Sequence, residues 1–159
     1  MKTVLITGTS KGLGLELLKV FLANGWQVLA LARNISSFTH ITNKYPKLCH
    51  PIEGDITDDL IIEKIYVTIK SNSDKIDVLI NNAGNAVKCF DIENVTPKEL
   101  DDHFKVHVSG AFRVIKESLP FLQKSDNPLI INISSRKGSI NKIASGGAVS
   151  VFKLPGCIA

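Results

Sequence analysis

The stretch Thr7-Gly8-Thr9-Ser10-Lys11-Gly12-Leu13-Gly14 constrains this chain more than any other, because it joins a short apolar run to an amphipathic one. Val4-Leu5-Ile6 precedes it, and Leu13, Leu17 and Phe21 follow at helical spacing, so it reads as a turn from a strand into a helix. Gly8, Gly12 and Gly14 let the backbone turn tightly and approach an anion closely. The amides that open the next helix are left free to donate, where the helix dipole favours negative charge. A loop built to hold a phosphate is the reading, in the strand-turn-helix context that a dinucleotide fingerprint requires.

The remainder of the chain repeats the alternation. A strand over Lys2 to Ile6 is followed by a helix from about Gly12 to Ala23, closed by Asn24-Gly25. A second buried strand spans Gln27 to Ala32, and a weaker helix carries Phe38, Ile41 and Tyr45 up to Pro46. The third strand, Leu48 to Glu53, contains Pro51, which cannot donate to a ladder and therefore belongs on an edge. Thr57 is placed to cap a helix that begins with Asp58-Asp59 and buries Ile61, Ile65 and Ile69. Ile76 to Ile80 makes a fourth strand. Thr96-Pro97-Lys98-Glu99 is a capping box that opens a long helix through Leu100, Phe104, Val108, Phe112 and Ile115, which Pro120 kinks or ends. Leu129 to Ile133 is a fifth strand. The alternation predicts an α/β fold, a doubly wound Rossmann-like parallel sheet in the order 3-2-1-4-5.

Composition narrows the function classes. At 159 residues and 44% hydrophobic, the chain suffices for one domain with a real core. Nineteen basic residues against 15 acidic give +4, but the lysines are scattered and form no stripe, which argues against nucleic acid. Cys49, Cys89 and Cys157 have unrelated spacings, so neither a disulfide framework nor a metal site is indicated. There is no signal-peptide core ahead of Gly8 and no apolar run of membrane-spanning length. A cytoplasmic protein without membrane or metal is expected.

Ligands of open parallel sheets lie beyond the carboxyl ends of the strands, near the reversal of strand order. Arg33, after strand two, stands where an acid would accept from a ribose 2′-hydroxyl and a guanidinium welcomes a 2′-phosphate; Lys11 can add a second positive charge. Both also fit as ordinary surface residues. Asp55, after strand three, can accept from an adenine amino group or serve the start of a helix, and Asn81-Asn82-Ala83-Gly84 follows strand four.

Together these residues resemble the short-chain dehydrogenase/reductase family over Met1 to about Gly147. Thr7-Gly8-x-x-x-Gly12-x-Gly14 looks like its cofactor loop, Asn81-Asn82-Ala83-Gly84 like its signature after the fourth strand, and Gly54-Asp55-Ile56-Thr57 like its adenine contact. The resemblance implies a nicotinamide dinucleotide held by Thr7, Gly8, Ser10, Lys11, Gly12, Leu13, Gly14, Arg33, Asp55, Ile56, Asn82, Ala83 and Gly84. With Lys11 and Arg33 present, NADP is expected ahead of NAD. It further implies hydride transfer to or from a small carbonyl or alcohol. Gly138-Ser139-Ile140 and Gly146-Gly147-Ala148 look like the sniffer or C-factor-like branch of small carbonyl reductases.

Catalysis in that family rests on an Asn, Ser, Tyr and Lys tetrad, and this chain departs from it twice. Ser135 matches the serine, with Ser134 the less suited neighbour, but His107 stands in the long helix where the asparagine belongs. Histidine can donate and accept, so it can sustain a relay, or it is a helix residue without a catalytic role. No Tyr-x-x-x-Lys occurs; Val149 and Lys153 hold the matching spacing, followed at once by Pro155-Gly156. Residues 1–148 are accordingly read as the N-terminal part of the dinucleotide-binding domain, with the C-terminal part of the fold missing, and 149–159 as an unstructured tail outside the family pattern. Val149-Ser150 is also what a splice-donor consensus encodes in frame, so the tail is read as intron or gene-model read-through. Impaired catalysis is expected, with a non-catalytic nucleotide-binding or interaction protein as the alternative. An apolar face left open over strands four and five makes a homo-oligomer the expected partner state.

Overall fold

A computed structural model of the chain describes residues 1–85 and 93–134. In chain order the elements are β1 (Thr3–Thr7), α1 (Gly12–Ala23), β2 (Gln27–Ala32), α2 (Thr39–Lys44) after a single 3₁₀ turn, β3 (Cys49–Glu53), α3 (Ile61–Asn72), β4 (Val78–Asn81), α4 (Pro97–Phe104), a π-helical segment (Lys105–Gly110), α5 (Ala111–Leu122) and β5 (Leu129–Asn132). All strand pairs are parallel and the order is β3-β2-β1-β4-β5, as the sequence predicts. Pro51 lies in β3, an edge strand, where its missing amide costs no ladder bond on the open side.

Two apolar cores follow from the period-2 alternation of the strands. Leu5, Leu29, Leu31 and Leu79 point to one face and pack with Ile61, Ile65 and Ile69 of α3 and Val114, Phe121 and Leu122 of α5. Val4, Ile6, Val28, Ala30 and Ile80 point to the other and pack with Leu18 and Leu22 of α1 and with Phe38 and Ile41. Every residue of β1 and β2 is buried. Continuous apolar runs, rather than alternating ones, are what a sheet covered on both faces needs.

Four expectations change. Thr57 does not cap α3, because its hydroxyl and amide both donate to Asp55 Oδ1 (2.8 and 2.9 Å) in a side-chain turn. The helix instead starts at Ile61, after Asp58 Oδ1 has accepted from the Leu60 amide. The capping box at Thr96 and Glu99 forms as read, but the helix it opens is α-helical only to Phe104, and its Leu100, Phe104, Val108 and Phe112 stripe is exposed. The π segment rotates the helix so that Val114, Ser118 and Phe121 become its buried side. Pro120 leaves α5 intact to Leu122, being exposed in the last turn. Finally, β4 is not left open: Leu79 and Ile80 are each buried in one of the two cores, and of these two strands it is β5 that is exposed, with Leu129 at 52%.

Asp77 ties three elements together at the lower edge of the sheet. Its Oδ2 accepts from the Thr3 amide at the start of β1 (2.7 Å), and its Oδ1 from the Ser125 hydroxyl (2.6 Å) and Lys75 Nζ (3.3 Å). Burial alone would raise its carboxyl, yet the hydrogen bonds from Ser125, the Thr3 amide and Lys75 hold it below the usual carboxylate value. Asp77→Ala should therefore destabilise the fold by about 2–3 kcal/mol at neutral pH, measured by urea unfolding. Because the folded-state value is the lower one, this contribution is present above the ordinary carboxylate range and lost as pH falls through the folded value. The gap between wild type and variant should narrow below about pH 4.

Candidate functional site

Strands β1 and β4 lie side by side where the strand order reverses, and side chains continue their pairing past the last ladder position. Thr7 Oγ1 accepts from the amides of Asn82 (3.0 Å) and Ala83 (2.9 Å), while Asn82 Nδ2 donates to the carbonyls of Thr7 (2.9 Å) and Gly8 (3.2 Å). The other side of the turn is held by β2, whose Leu31 carbonyl accepts from the amides of Gly8 (2.8 Å) and Thr9 (3.2 Å) and from the Thr9 hydroxyl (3.2 Å).

This bracing leaves no space for side chains at two of the three glycines. Gly8 has φ +76, and a Cβ there would lie 2.8 Å from Ala83 Cα. A Cβ on Gly14 would meet the Gly8 carbonyl oxygen at 2.2 Å and Asn82 Nδ2 at 2.5 Å. Gly12, at φ +58, has nothing within 4 Å among the described residues, and its backbone conformation is what calls for glycine. Lys11 takes the N-cap position of α1 in extended conformation, and no side chain caps the helix. The first-turn amides thus open onto the turn, where the helix dipole is positive.

The turn forms one wall of a cleft of about 380 Å³. Every residue expected to hold a dinucleotide lines it except Thr7, which is buried at 1% exposure and works from beneath. Arg33 and Asp55 face each other across its far end, Nη1 to Oδ2 at 3.8 Å, with the Arg33 side chain 78% exposed. An ion pair that open contributes little and leaves the guanidinium available. Asn82 lines the cleft, but both hydrogens of its amide are committed to the β1 turn, so it acts as a brace.

His107 lies outside the cleft lining, on the π segment, with its ring against the loop after β4. A Cβ on Gly84 would stand 2.8 Å from its Cε1, so glycine is what admits the ring. Its Nε2 is 3.1 Å from the Asn85 carbonyl oxygen and 3.4 Å from the Asn85 amide; protonated there it donates to the former, unprotonated it accepts from the latter. His103 stacks on it with ring centroids 5.7 Å apart. Ser134 ends the described stretch, and Ser135, Val149, Lys153 and the rest of residues 135–159 lie outside the described residues. Gly54, Leu31, Asn85 and Val106 also line the cleft and are absent from the expected set. Gly54 had a readable signal, its place directly after β3; Val106 had none, because helical spacing marks it only as apolar.

A family model described as short chain dehydrogenase matches residues 2–148. A probable short-chain type dehydrogenase/reductase of Helicobacter pylori is 30% identical over 89% of this chain and 51% of its own length. Serine 3-dehydrogenase of Agrobacterium fabrum is 29% identical over 84% and 53%. Among solved structures, a short-chain dehydrogenase from Streptomyces avermitilis is 31% identical with a TM-score of 0.79, covering 87% of this chain and 51% of that one. An NADPH-bound carbonyl reductase from chicken fatty liver is 26% identical with a TM-score of 0.82, covering 90% and 63%. The chain spans about half the length of the curated relatives it matches.

The glycine geometry makes a graded expectation. Gly14→Ala and Gly12→Ala differ only in position, yet the first forces a methyl into backbone oxygen and the second adds about 1–2 kcal/mol of left-handed strain. Thermal unfolding of both should show Gly14→Ala the more destabilised, with loss of any nucleotide-induced rise in Tm, whereas Gly12→Ala keeps part of it.

Proposed function

Because this chain belongs to the short-chain dehydrogenase family, we propose that its cleft takes a nicotinamide dinucleotide, NADP in preference to NAD, in the service of oxidoreduction of a small carbonyl or alcohol. The observation that carries the reading is steric. Gly8 and Gly14 form a cradle that a single methyl would fill, at the uncapped start of α1 and within one cleft with Arg33. Such a cradle suits a pyrophosphate, which needs close backbone approach and amide donors. Arg33, with Lys11 also lining the cleft, would take a 2′-phosphate by charge-assisted hydrogen bonds, and Asp55 and Ile56 would receive the adenine. The NADPH-bound state of the carbonyl reductase neighbour supports the same choice. When bound, the nicotinamide supplies or accepts a hydride. Asn82 keeps the turn in shape, His107 holds the loop after β4 in place, and Ser135 would polarise the substrate oxygen.

Turnover by the 159-residue chain is a separate matter, and a specific observation favours a binding-only state. Its tyrosines are Tyr45, at the end of α2, and Tyr66, on α3 with its ring 5.6 Å from that of Phe121; neither lines the cleft. No tyrosine is therefore at hand to pass a proton to or from the reacting oxygen.

Titration of the chain with both cofactors should show NADPH binding about tenfold to a hundredfold tighter than NADH, the value of one charge-assisted contact of about 1.5–3 kcal/mol. Arg33→Ala should erase the difference by weakening NADPH alone. Equal affinity of the unmodified chain for both cofactors would remove the basis for NADP preference.

Oxidation of NADPH against a panel of small aldehydes and ketones should run at least about a hundredfold slower than the roughly 10 per second typical of enzymes. Rates near that figure would mean that another group of the chain delivers the proton.

A further inference from the structure

Arg113 belongs to no wall of the cleft, yet it grips the loop that forms one. It stands in the first turn of α5 with its side chain only 21% exposed. Its Nη1 donates to the Ile56 carbonyl (2.7 Å), and its Nε and Nη2 both donate to Asp59 Oδ1 (3.0 and 2.7 Å). Ile56 and its neighbour Asp55 line the cleft, and they sit in a segment between β3 and α3 with no ladder of its own. The segment is also held by local bonds, the Asp55 carboxylate accepting from Thr57 and the Asp58 amide donating to the Asp55 carbonyl (3.1 Å), and by ties to the sheet: the Gly54 amide donates to the Ala32 carbonyl (3.0 Å), Arg33 pairs with Asp55 (3.8 Å), and the Ile56 side chain is buried in the core. The tie at Gly54 fixes where the loop leaves the sheet, and the local bonds set its curvature, but neither fixes the Ile56 carbonyl and Asp59 against α5.

The helix holds the far side of the loop. Gly110, the last residue of the π segment, lets the backbone approach so closely that a Cβ there would stand 2.9 Å from both Cγ1 and Cδ1 of Ile56. One turn on, the guanidinium takes the Ile56 carbonyl, which is the main-chain group between the two residues of the cleft wall and the Asp59 side chain. A planar fork with donors on three nitrogens can hold a carbonyl and a carboxylate at once, which an ammonium cannot do with the same rigidity.

We infer that Arg113 is a positioning residue for the adenosine half of the bound dinucleotide: by fixing the Ile56 carbonyl and Asp59 it holds Asp55 and Ile56 at the distance the adenosine requires. The inference rests on the dinucleotide reading above. It confines the effect of Arg113 to one end of the cleft, since the His107 contact with Asn85 and the Thr7 and Asn82 bracket hold the other without it.

The test uses the full chain and three probes: NADPH, its adenosine bisphosphate half and its nicotinamide mononucleotide half. Arg113→Ala should weaken NADPH and the adenosine half by about tenfold, the loss of one charged hydrogen bond's worth of ordering, and leave the nicotinamide half unchanged. Arg113→Lys should recover only part of the loss. Asp59→Ala changes a side chain that is 86% exposed, so it cannot unfold the protein by opening a core, and it should reproduce a smaller loss with the same selectivity for the adenosine half. Equal weakening of all three probes, or none in either variant, overturns the assignment while leaving the dinucleotide reading intact. A wild-type chain that is folded but binds none of the three overturns both.

Discussion

The cleft depends on a bracket of four hydrogen bonds between the end of β1 and the end of β4. Ladder pairing between these strands runs from Val4 to Ile6 on one side and from Val78 to Ile80 on the other. Beyond it Thr7 and Asn82 take over with their side chains, the hydroxyl accepting from two amides and the carboxamide nitrogen donating to two carbonyls. Each such bond adds only about 1 kcal/mol net. Their joint effect is geometric: they press the Gly8 turn against Ala83 and Gly14 against Gly8, which is why only glycine fits at either place. The steric emptiness that suits a pyrophosphate is thus made by polar bonds one layer below it.

The long helix supplies the second constraint. Its six-residue π segment shifts the rotational phase between α4 and α5, so that one continuous rod touches the loop after β4 through His107, borders the cleft through Val106, and meets the loop after β3 through Gly110 and Arg113. A regular α-helix over the same residues would place these contacts about a residue out of phase, which on a helix is a rotation of roughly 100°. The irregular turn therefore sits where three parts of the cleft converge, and the exposed stripe of Leu100, Phe104, Val108 and Phe112 is the other side of the same rotation.

Much of the site was legible in the sequence because its signals are local. A glycine spacing after an apolar run, an Asn-Asn-Ala-Gly run after another, and a charged residue just past β2 each report a strand end, and in a parallel sheet all strand ends on one side meet. Local signals failed where a side chain had a nearer partner than the one assumed. Thr57 has the residue type of a helix cap, but its hydroxyl donates to Asp55, two residues away, and α3 starts only at Ile61. The apolar residues of the long helix recur at helical spacing, whose phase a π turn shifts without any residue type to announce it.

By itself the sequence determined the elements, their alternation and the sheet order, because buried parallel strands demand continuous apolar runs and Pro51 tolerates only an edge. It also brought to the cleft those residues that chain order assigns to strand ends, but not Val106, which reaches it from the π segment. Tertiary structure alone decided what each of them does there. Thr7 and Asn82, alike in the sequence to ligand contacts, are braces because their partners lie across the β1–β4 junction, some 75 residues away in the chain. Arg113 acquired a role because helix α5 lies against a loop formed 57 residues earlier. Contacts of that separation depend on how two faces pack, and no window of sequence contains both sides of them.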